Sequence, residues 1–279
     1  MGANKMNTLY GLLGYPLGHS LSPPLHQFLL EKMNKPGGYH LFPVEDKNLA
    51  PALLGLELLS TVGVNVTIPH KQAVLSFMDE VSPQARAIGA INTIHYDRGL
   101  RTGHNTDYAG FGYLLKRFGF CPSDKKVAIL GAGGSALAVA HYLADHKAKE
   151  LTIFSRSAEK NSHGGFSVSP YEALPEKLKQ IDLLVNCTPV GMHPRTEEMP
   201  LTLDLLANFS GAVVDLIYNP LTTRLTCEAA KLGLPAINGL SMLVGQGVAA
   251  QEIWQGHSLD PSWGEEAEQF LTKVLNESL

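Results

Sequence analysis

VAILGAGGSALAVAHYLA, Val127 to Ala144, is the stretch whose reading decides the fold. Val127 to Leu130 is a short apolar run with the composition of a buried strand. It leads straight into glycines and then into good helix formers. Gly131 and Gly133 take the first two positions of a G-x-G-x-x-G turn. Ala136 takes the third, where only a small side chain is needed against the strand. Strand, glycine turn and helix, followed by another apolar run from Leu151 to Phe154, predict a βαβ unit of the dinucleotide-binding type.

The residues after that second run bear on which dinucleotide binds. An NAD site places Asp or Glu there to hold the ribose hydroxyls, whereas this chain has Ser155, Arg156 and Ser157, with Lys160 close behind. Hydroxyls, a guanidinium and an ammonium suit a 2′-phosphate, so NADP is favoured; the other reading of Arg156 is a solvated surface arginine. Downstream, 161–169 reads as a Gly/Ser-rich loop, and Asp182 to Cys187 and Ala212 to Ile217 as buried strands ending in polar residues. Thr223 to Leu232 reads as a helix closed by Gly233, and Pro235 to Ile237 as a last short strand. Two apolar-striped helices follow Gly239 and are expected to return to the first half of the chain.

Upstream, Cys121 to Lys126 is the most linker-like stretch and places a domain boundary nearby. The first half alternates strands and helices, which predicts a largely parallel sheet. In GVNVTIPHK, Gly63 to Lys71, the apolar Val64, Val66 and Ile68 alternate with Asn65 and Thr67, and Pro69 then opens a helix expected to run through Met78. Lys71 is either one more solvated lysine or a proton carrier beside the free N–H groups of that helix. Ser22 reads as an N-cap with Pro23 at the first helical position, so Ser20 and Ser22 stand at a helix start that serves as a simple cap or as an anion site. Asp107 opens the helix carrying Phe111, Leu114, Leu115 and Phe118, either as a first-turn acid or as a carboxylate held for a partner.

At 279 residues, with 44% hydrophobic and 17% charged side chains, the chain has the makings of a two-domain packed protein. A net charge of −4 without a basic run excludes a nucleic-acid or anionic-membrane footprint, which leaves a small molecule as the partner. The uncharged windows 11–30 and 232–251 are broken by Gly, Pro and polar residues and do not read as membrane helices. Cys121, Cys187 and Cys227 fit neither a disulfide framework nor a metal spacing; they read as buried fillers in a reducing, cytoplasmic setting.

Six ordered motifs, GYPLGHSLSPPLH, GVNVTIPHK, IGAINTI, GHNTDYAG, GAGGSALA and NGLSMLVGQG, resemble the shikimate dehydrogenases, a resemblance that covers nearly the whole chain. It implies an α/β protein with a mostly parallel substrate domain, 1–107 completed by C-terminal helices at 239–279, and a Rossmann-type NADP domain at 108–238. It implies Lys71 and Asp107 as the catalytic pair, and Ser20 and Ser22 as holders of a substrate carboxylate. Asn65, Thr67, Asn92, Tyr218 and Gln246 correspond to positions at the substrate's ring hydroxyls or in the pocket wall. Gly131, Ala132, Gly133, Gly134, Ser135 and Ala136 correspond to the pyrophosphate turn, and Ser155, Arg156, Ser157 and Lys160 to the 2′-phosphate clamp. Thr188, Pro189, Val190, Gly191, Met192, Leu216 and Gly239 correspond to positions around the rest of NADP. Ser155 stands where relatives usually carry Asn, and Leu137 where many carry Arg. The implied reaction is NADPH-dependent, reversible reduction of 3-dehydroshikimate to shikimate by a monomer or homodimer, with no metal. A quinate or dual quinate/shikimate dehydrogenase shares this pattern, and a silent NADP-binding regulator is the alternative of another class. His19, His26 and His70 compete with Lys71 for the proton, His26 from the apolar side of its helix and His70 turned away.

Overall fold

The computed structural model describes residues 8–18, 20–156 and 162–277. It divides into two compact units, one formed by the described residues up to Gly110 with Val244–Val274, the other by Phe111–Leu243 with the final turn from Leu275.

The first unit is built from β1 (Thr8–Gly14), α1 (Ser22–Lys32), β2 (Gly37–Pro43), α2 (Leu49–Leu58), β3 (Gly63–Val66), β4 (Glu80–Val81), α3 (Pro83–Ile88), β5 (Thr93–Asp97), β6 (Leu100–His104) and the start of α4 (Asp107–Phe118). Its sheet has six strands in the order β2-β1-β3-β5-β6-β4. β1 pairs in parallel with both β2 and β3, and the β5–β6 hairpin brings the antiparallel pairings. Leu13, Leu53, Val64, Val66, Ile91 and Ile94 fill one side of this sheet without solvent contact or nearly so. On the other side Tyr10, Leu12, Leu30 and Tyr39 pack with Ala250 and Trp254 of the C-terminal helix α9 (Leu240–Gln255). Trp254 lies so close to Gly63 that a Cβ there would collide with its indole. Its Nε1 donates to the Ile94 carbonyl at 3.0 Å, tying the returning helix to the strand edge.

The second unit continues α4 and adds β7 (Lys126–Leu130), α5 (Gly134–Asp145), β8 (Glu150–Phe154), β9 (Ser162–His163), β10 (Phe166–Ser169), α6 (Leu174–Leu178), β11 (Leu183–Asn186), α7 (Leu203–Ala207), β12 (Ala212–Asp215), α8 (Arg224–Lys231), β13 (Ala236–Ile237) and the start of α9 (Leu240–Gln255); α10 (Ser262–Glu277) runs from the first unit into the second. Seven strands in the order β13-β12-β11-β7-β8-β10-β9 form a sheet that is parallel apart from β9. Helices cover both faces, and the two apolar layers contain Val127, Ile129 and Val185 on one side and Ala128, Leu130 and Leu184 on the other. Strands buried on both faces read as the continuous apolar runs seen in the sequence. The order reverses at β7, with β8 on one flank and β11 on the other, the place where doubly wound sheets open a crevice at their carboxyl edge.

The division between the units falls inside α4, between Gly110 and Phe111. Three expectations are corrected here. The 161–169 segment is not wholly a loop: β10 adds to β8, with the two glycines Gly164 and Gly165 at positive φ turning β9 against β10. No α-helix follows Pro69; residues 68–72 form turns ahead of a 3₁₀ segment at Ala73–Phe77, and Ile68 is 69% exposed where the alternation predicts burial. Finally, Cys121 is exposed, and Cys187 and Cys227 are only half-buried.

Candidate functional site

Lys71 lies in the turn after β3, and Asp107 is the first residue of α4. Within the first unit these two positions meet: Lys71 Nζ stands 2.5 Å from Asp107 Oδ2, with both side chains about nine-tenths buried. Asp107 Oδ1 accepts from Asn92 Nδ2 at 2.8 Å, so both oxygens are engaged and the carboxylate cannot swing. The orientation of Asn92 is set in turn. Its Oδ1 accepts the Thr106 N–H at 2.6 Å and the Thr93 hydroxyl at 3.0 Å; a backbone N–H can only donate, so the amide oxygen must face it and the NH₂ must face Asp107.

The network continues away from the charge. Asn65 Nδ2 donates to Thr93 Oγ1 at 3.0 Å, and Asn65 Oδ1 accepts from the Tyr39 hydroxyl at 2.8 Å. The Tyr39 ring stacks on His26 at 4.1 Å. His26 has no solvent contact, and burial pushes its pKa down to about 3, so the imidazole stays neutral; its Nδ1 contacts Gln251 Nε2 at 3.0 Å. His70 is buried as well, its Nε2 2.6 Å from the Val44 carbonyl oxygen. Neither histidine is hydrogen-bonded to the Lys71–Asp107 pair, while His19 lies outside the described residues.

Hydrogen bonds thus bring Lys71, Asp107, Asn92 and Asn65 together. Two contacts carry the β1–α1 loop to the Lys71 turn. Tyr15 N–H donates to the Ile68 carbonyl at 3.0 Å, and Gly14 lies so close to Thr67 that a Cβ would strike its methyl group, which brings the β1–α1 loop alongside the Lys71 turn. That loop carries Ser20, and Ser22 follows it as the first residue of α1. The N-cap of α1 is Leu21 rather than Ser22; Ser22 is the first helical residue, and its N–H donates to Ser20 Oγ at 3.2 Å. Gln246 is buried on α9, next to Gly247, which packs on Leu25 of α1.

In the second unit, Gly131 has φ +98°, a value that favours glycine, and its N–H donates to the Phe154 carbonyl at 2.8 Å. Gly133 is the N-cap of α5, and Ala132, Gly134 and Ser135 complete the turn that exposes the first free N–H groups of that helix. Ala136 is fully buried. Gly133 has an ordinary φ of −88°, and a Cβ there would meet no atom of the described residues within 4 Å. Among the described residues nothing demands a glycine at that position, whereas the close approach of a pyrophosphate does. The residues therefore fit a dinucleotide on structural grounds. Ser155 is half-buried and Arg156 exposed at the end of β8, while Ser157 and Lys160 lie outside the described residues. Burial raises the pKa of Tyr171 and the Arg156 guanidinium opposes the shift, so this tyrosine is a neighbour of Arg156 that sequence reading missed.

The 188–192 segment follows β11, and Leu216 and Tyr218 follow β12. Gly191 has φ +98°, and Gly239 sits against the Leu216 backbone with no room for a Cβ, its N–H donating to the Ile217 carbonyl at 2.9 Å. Beneath these loops lie residues that no motif flagged. Asn186 Oδ1 accepts from the Thr188 N–H and hydroxyl at 3.0 and 2.6 Å, and Asn186 Nδ2 donates to Asp215 Oδ1 at 2.9 Å. Burial raises the pKa of Asp215 to about 6, against hydrogen bonds from Thr223, Ile217 and Asn186 that lower it. The available signal was positional: Asn186 and Asp215 end two adjacent apolar strands and are register partners.

Residues 12–94 match the family model described as the shikimate dehydrogenase substrate binding domain, and residues 114–199 the model described as shikimate / quinate 5-dehydrogenase. A relative from Clostridium beijerinckii, named shikimate dehydrogenase (NADP(+)), is 40% identical over 90% of this chain and 93% of its own. The crystal structure of a chorismate mutase/shikimate 5-dehydrogenase fusion protein from Clostridium acetobutylicum superposes with a TM-score of 0.91 at 39% identity, covering 97% of this chain and 99% of that one. The Thermus thermophilus shikimate 5-dehydrogenase, solved with NADP(H) and shikimate, does so with a TM-score of 0.83 at 37% identity, covering 94% and 98%. Identity at this level, spread over the substrate sheet and the glycine-turn sheet alike, is what common descent leaves, and the chain belongs to the shikimate dehydrogenase family.

Proposed function

We propose that Lys71 and Asp107 handle the proton in a reversible, NADPH-dependent reduction of 3-dehydroshikimate to shikimate. The enzyme is an NADP-dependent oxidoreductase of its family. The observation that carries the residue assignment is the 2.5 Å contact between Lys71 Nζ and an Asp107 carboxylate whose second oxygen is held by Asn92. NADPH, when bound, supplies the hydride to the ring carbon that bears the oxygen. The forming alkoxide then needs a proton, and Lys71 gives it to that oxygen while Asp107 orients the ammonium. In the reverse direction Lys71 takes the hydroxyl proton.

The first unit is the substrate domain in this reading. Ser20 and Ser22 hold the carboxylate at the start of α1, while Asn65, Thr67, Asn92 and Gln246 recognise the hydroxyls or line the pocket. The second unit is the NADP domain, with the pyrophosphate at Gly131–Ala136, the 2′-phosphate at Ser155, Arg156, Ser157 and Lys160, and the remainder against Thr188–Met192, Leu216 and Gly239. Among the described residues, no helix is long and apolar enough to cross a membrane. We place the enzyme in the cytoplasm as a monomer or homodimer, a choice that sedimentation at micromolar concentration decides.

One assay tests the function: absorbance of the reduced nicotinamide is followed with shikimate and with quinate, each with NADP and with NAD. The expected result is fastest turnover with shikimate and NADP. Preference for quinate moves the assignment to quinate dehydrogenase, and no turnover with any pair refutes it.

A further inference from the structure

We infer that Asp215 is the positioning residue of the cofactor site, fixing the 188–192 loop through Asn186 and the 216–218 loop through Ile217 so that the two stand in register. The inference rests on the assignment of those loops to NADP.

Asp215 ends β12 and has no solvent contact. Three donors converge on it. Oδ1 accepts from Asn186 Nδ2 at 2.9 Å and from the Ile217 N–H at 3.2 Å, and Oδ2 accepts from Thr223 Oγ1 at 2.7 Å. Asn186 passes the constraint on: its Oδ1 receives both the N–H and the hydroxyl of Thr188, and the same hydroxyl accepts the Val190 N–H at 3.3 Å. Thr223 anchors the relay to α8, whose N-cap it is, by accepting the Thr226 N–H at 3.2 Å.

The sheet does not need this relay. β11 and β12 are already joined by a parallel ladder from Leu183 opposite Ala212 to Asn186 opposite Asp215. The side-chain bonds act beyond its end, on the first residues of the two loops. Loops at the carboxyl edge of a parallel sheet carry ligand contacts, and their few internal bonds leave them mobile unless something holds them. A buried carboxylate without a cation is an expensive choice for a merely structural role. Its use is to accept three donors at once, which a neutral side chain achieves less easily.

The geometry also says which substitution should be tolerated. In Asp215→Asn, the amide oxygen can keep the Asn186 and Ile217 donors. The new NH₂ can face Thr223 Oγ1, because the Thr223 hydroxyl has a second partner, Thr226 Oγ1 at 3.2 Å, toward which its proton can turn. Asp215→Ala has no such escape and leaves Asn186 and Ile217 donors unpaired.

Kinetic constants are measured per folded molecule, with folding checked by circular dichroism. Asp215→Ala is expected to raise KM for NADPH and for NADH by a similar factor of about ten and to lower kcat by about as much, since small misplacement of a reactant is costly in rate. KM for shikimate changes by a smaller factor than KM for either coenzyme. Asn186→Ala reproduces the phenotype by cutting the relay at its other end, and carries the test if Asp215→Ala does not fold. Asp215→Asn restores the constants to within about threefold of wild type. Wild-type constants in Asp215→Ala or Asn186→Ala, or an Asp215→Asn as impaired as the alanine variant, overturn the inference. Arg156→Ala, which touches the assigned 2′-phosphate clamp instead, separates the two levels. If it weakens NADPH selectively while the relay variants change nothing, the relay alone is wrong; if no variant changes any cofactor constant, the cofactor assignment falls and the inference with it.

Discussion

The two units contain the same orienting device with different endings. In the first, Asn92 turns its amide oxygen to the Thr106 N–H at 2.6 Å and its NH₂ to Asp107 at 2.8 Å. In the second, Asn186 turns its oxygen to the Thr188 N–H at 3.0 Å and its NH₂ to Asp215 at 2.9 Å. The other carboxylate oxygen makes the difference. For Asp107 it meets the Lys71 ammonium; for Asp215 it meets the Thr223 hydroxyl. An asparagine locked by a backbone N–H aims a carboxylate in both places. On the proposed reading, the ammonium beside Asp107 serves proton transfer, and the hydroxyl beside Asp215 serves as a clamp.

The largest effect should come from removing the cation. Lys71→Ala is expected to lower turnover by at least about 100-fold while KM for shikimate changes only a few-fold, because the lost group acts on charge that forms in the transition state. Near wild-type turnover in stopped-flow and steady-state assays would remove Lys71 from the mechanism. Asp107→Asn breaks the comparison at its other member. Asn92 can still find an acceptor only if the new amide oxygen stays toward it, and the new NH₂ then faces the Lys71 ammonium, donor against donor. A loss of roughly 10- to 100-fold in kcat is expected. A rate unchanged by this substitution would mean that the aimed carboxylate has no part in the chemistry.

Much of this arrangement was legible because it is local. The glycine turn at 131–136 joins a strand to a helix within one stretch, and Asp107 opens a helix whose apolar spacing is visible. Other features depend on what the chain meets in space. Val64, Val66 and Ile68 alternate on paper, yet the strand stops at Val66 and Ile68 turns outward, since a proline that opens a helix and one that sits in a turn look alike in sequence. Ser20 and Ser22 flank the start of α1, yet the N-cap is Leu21 and the one bond between the serines runs from the Ser22 N–H to Ser20 Oγ. β10 exists because the β8 edge is there to pair with. Asn186 and Asp215 are 29 residues apart in the chain, so their juxtaposition follows from strand order, which no spacing motif encodes.

Removing Arg156, proposed above to hold the 2′-phosphate, tests a third kind of charge, one exposed to solvent and so worth less. Arg156→Ala is expected to raise KM for NADPH by about tenfold and to leave KM for NADH nearly unchanged. Equal loss with both coenzymes would show that Arg156 supports the fold or the shared part of the cofactor rather than the phosphate.

The smallest effect on rate, and the clearest contrast between the clusters, concerns stability. Burial holds the Asp215 carboxyl at about 6 in the folded protein against an ordinary 3.8. The groups that face it, Asn186, Ile217 and Thr223, are neutral donors and supply no compensating charge. Because the folded pKa is the higher one, the folded state binds the proton more tightly. The group's contribution is fully present below about pH 4 and is lost as pH rises through 6, at up to about 1.4 kcal/mol per pH unit. Asp215→Asn has no proton to lose, so its unfolding free energy relative to wild type should climb between about pH 4 and 6.5 and then level off. Urea melts at half-unit intervals measure this directly; a difference that stays flat across the range would mean that Asp215 is not sealed from water, and that its likeness to Asp107 extends further than their partners indicate.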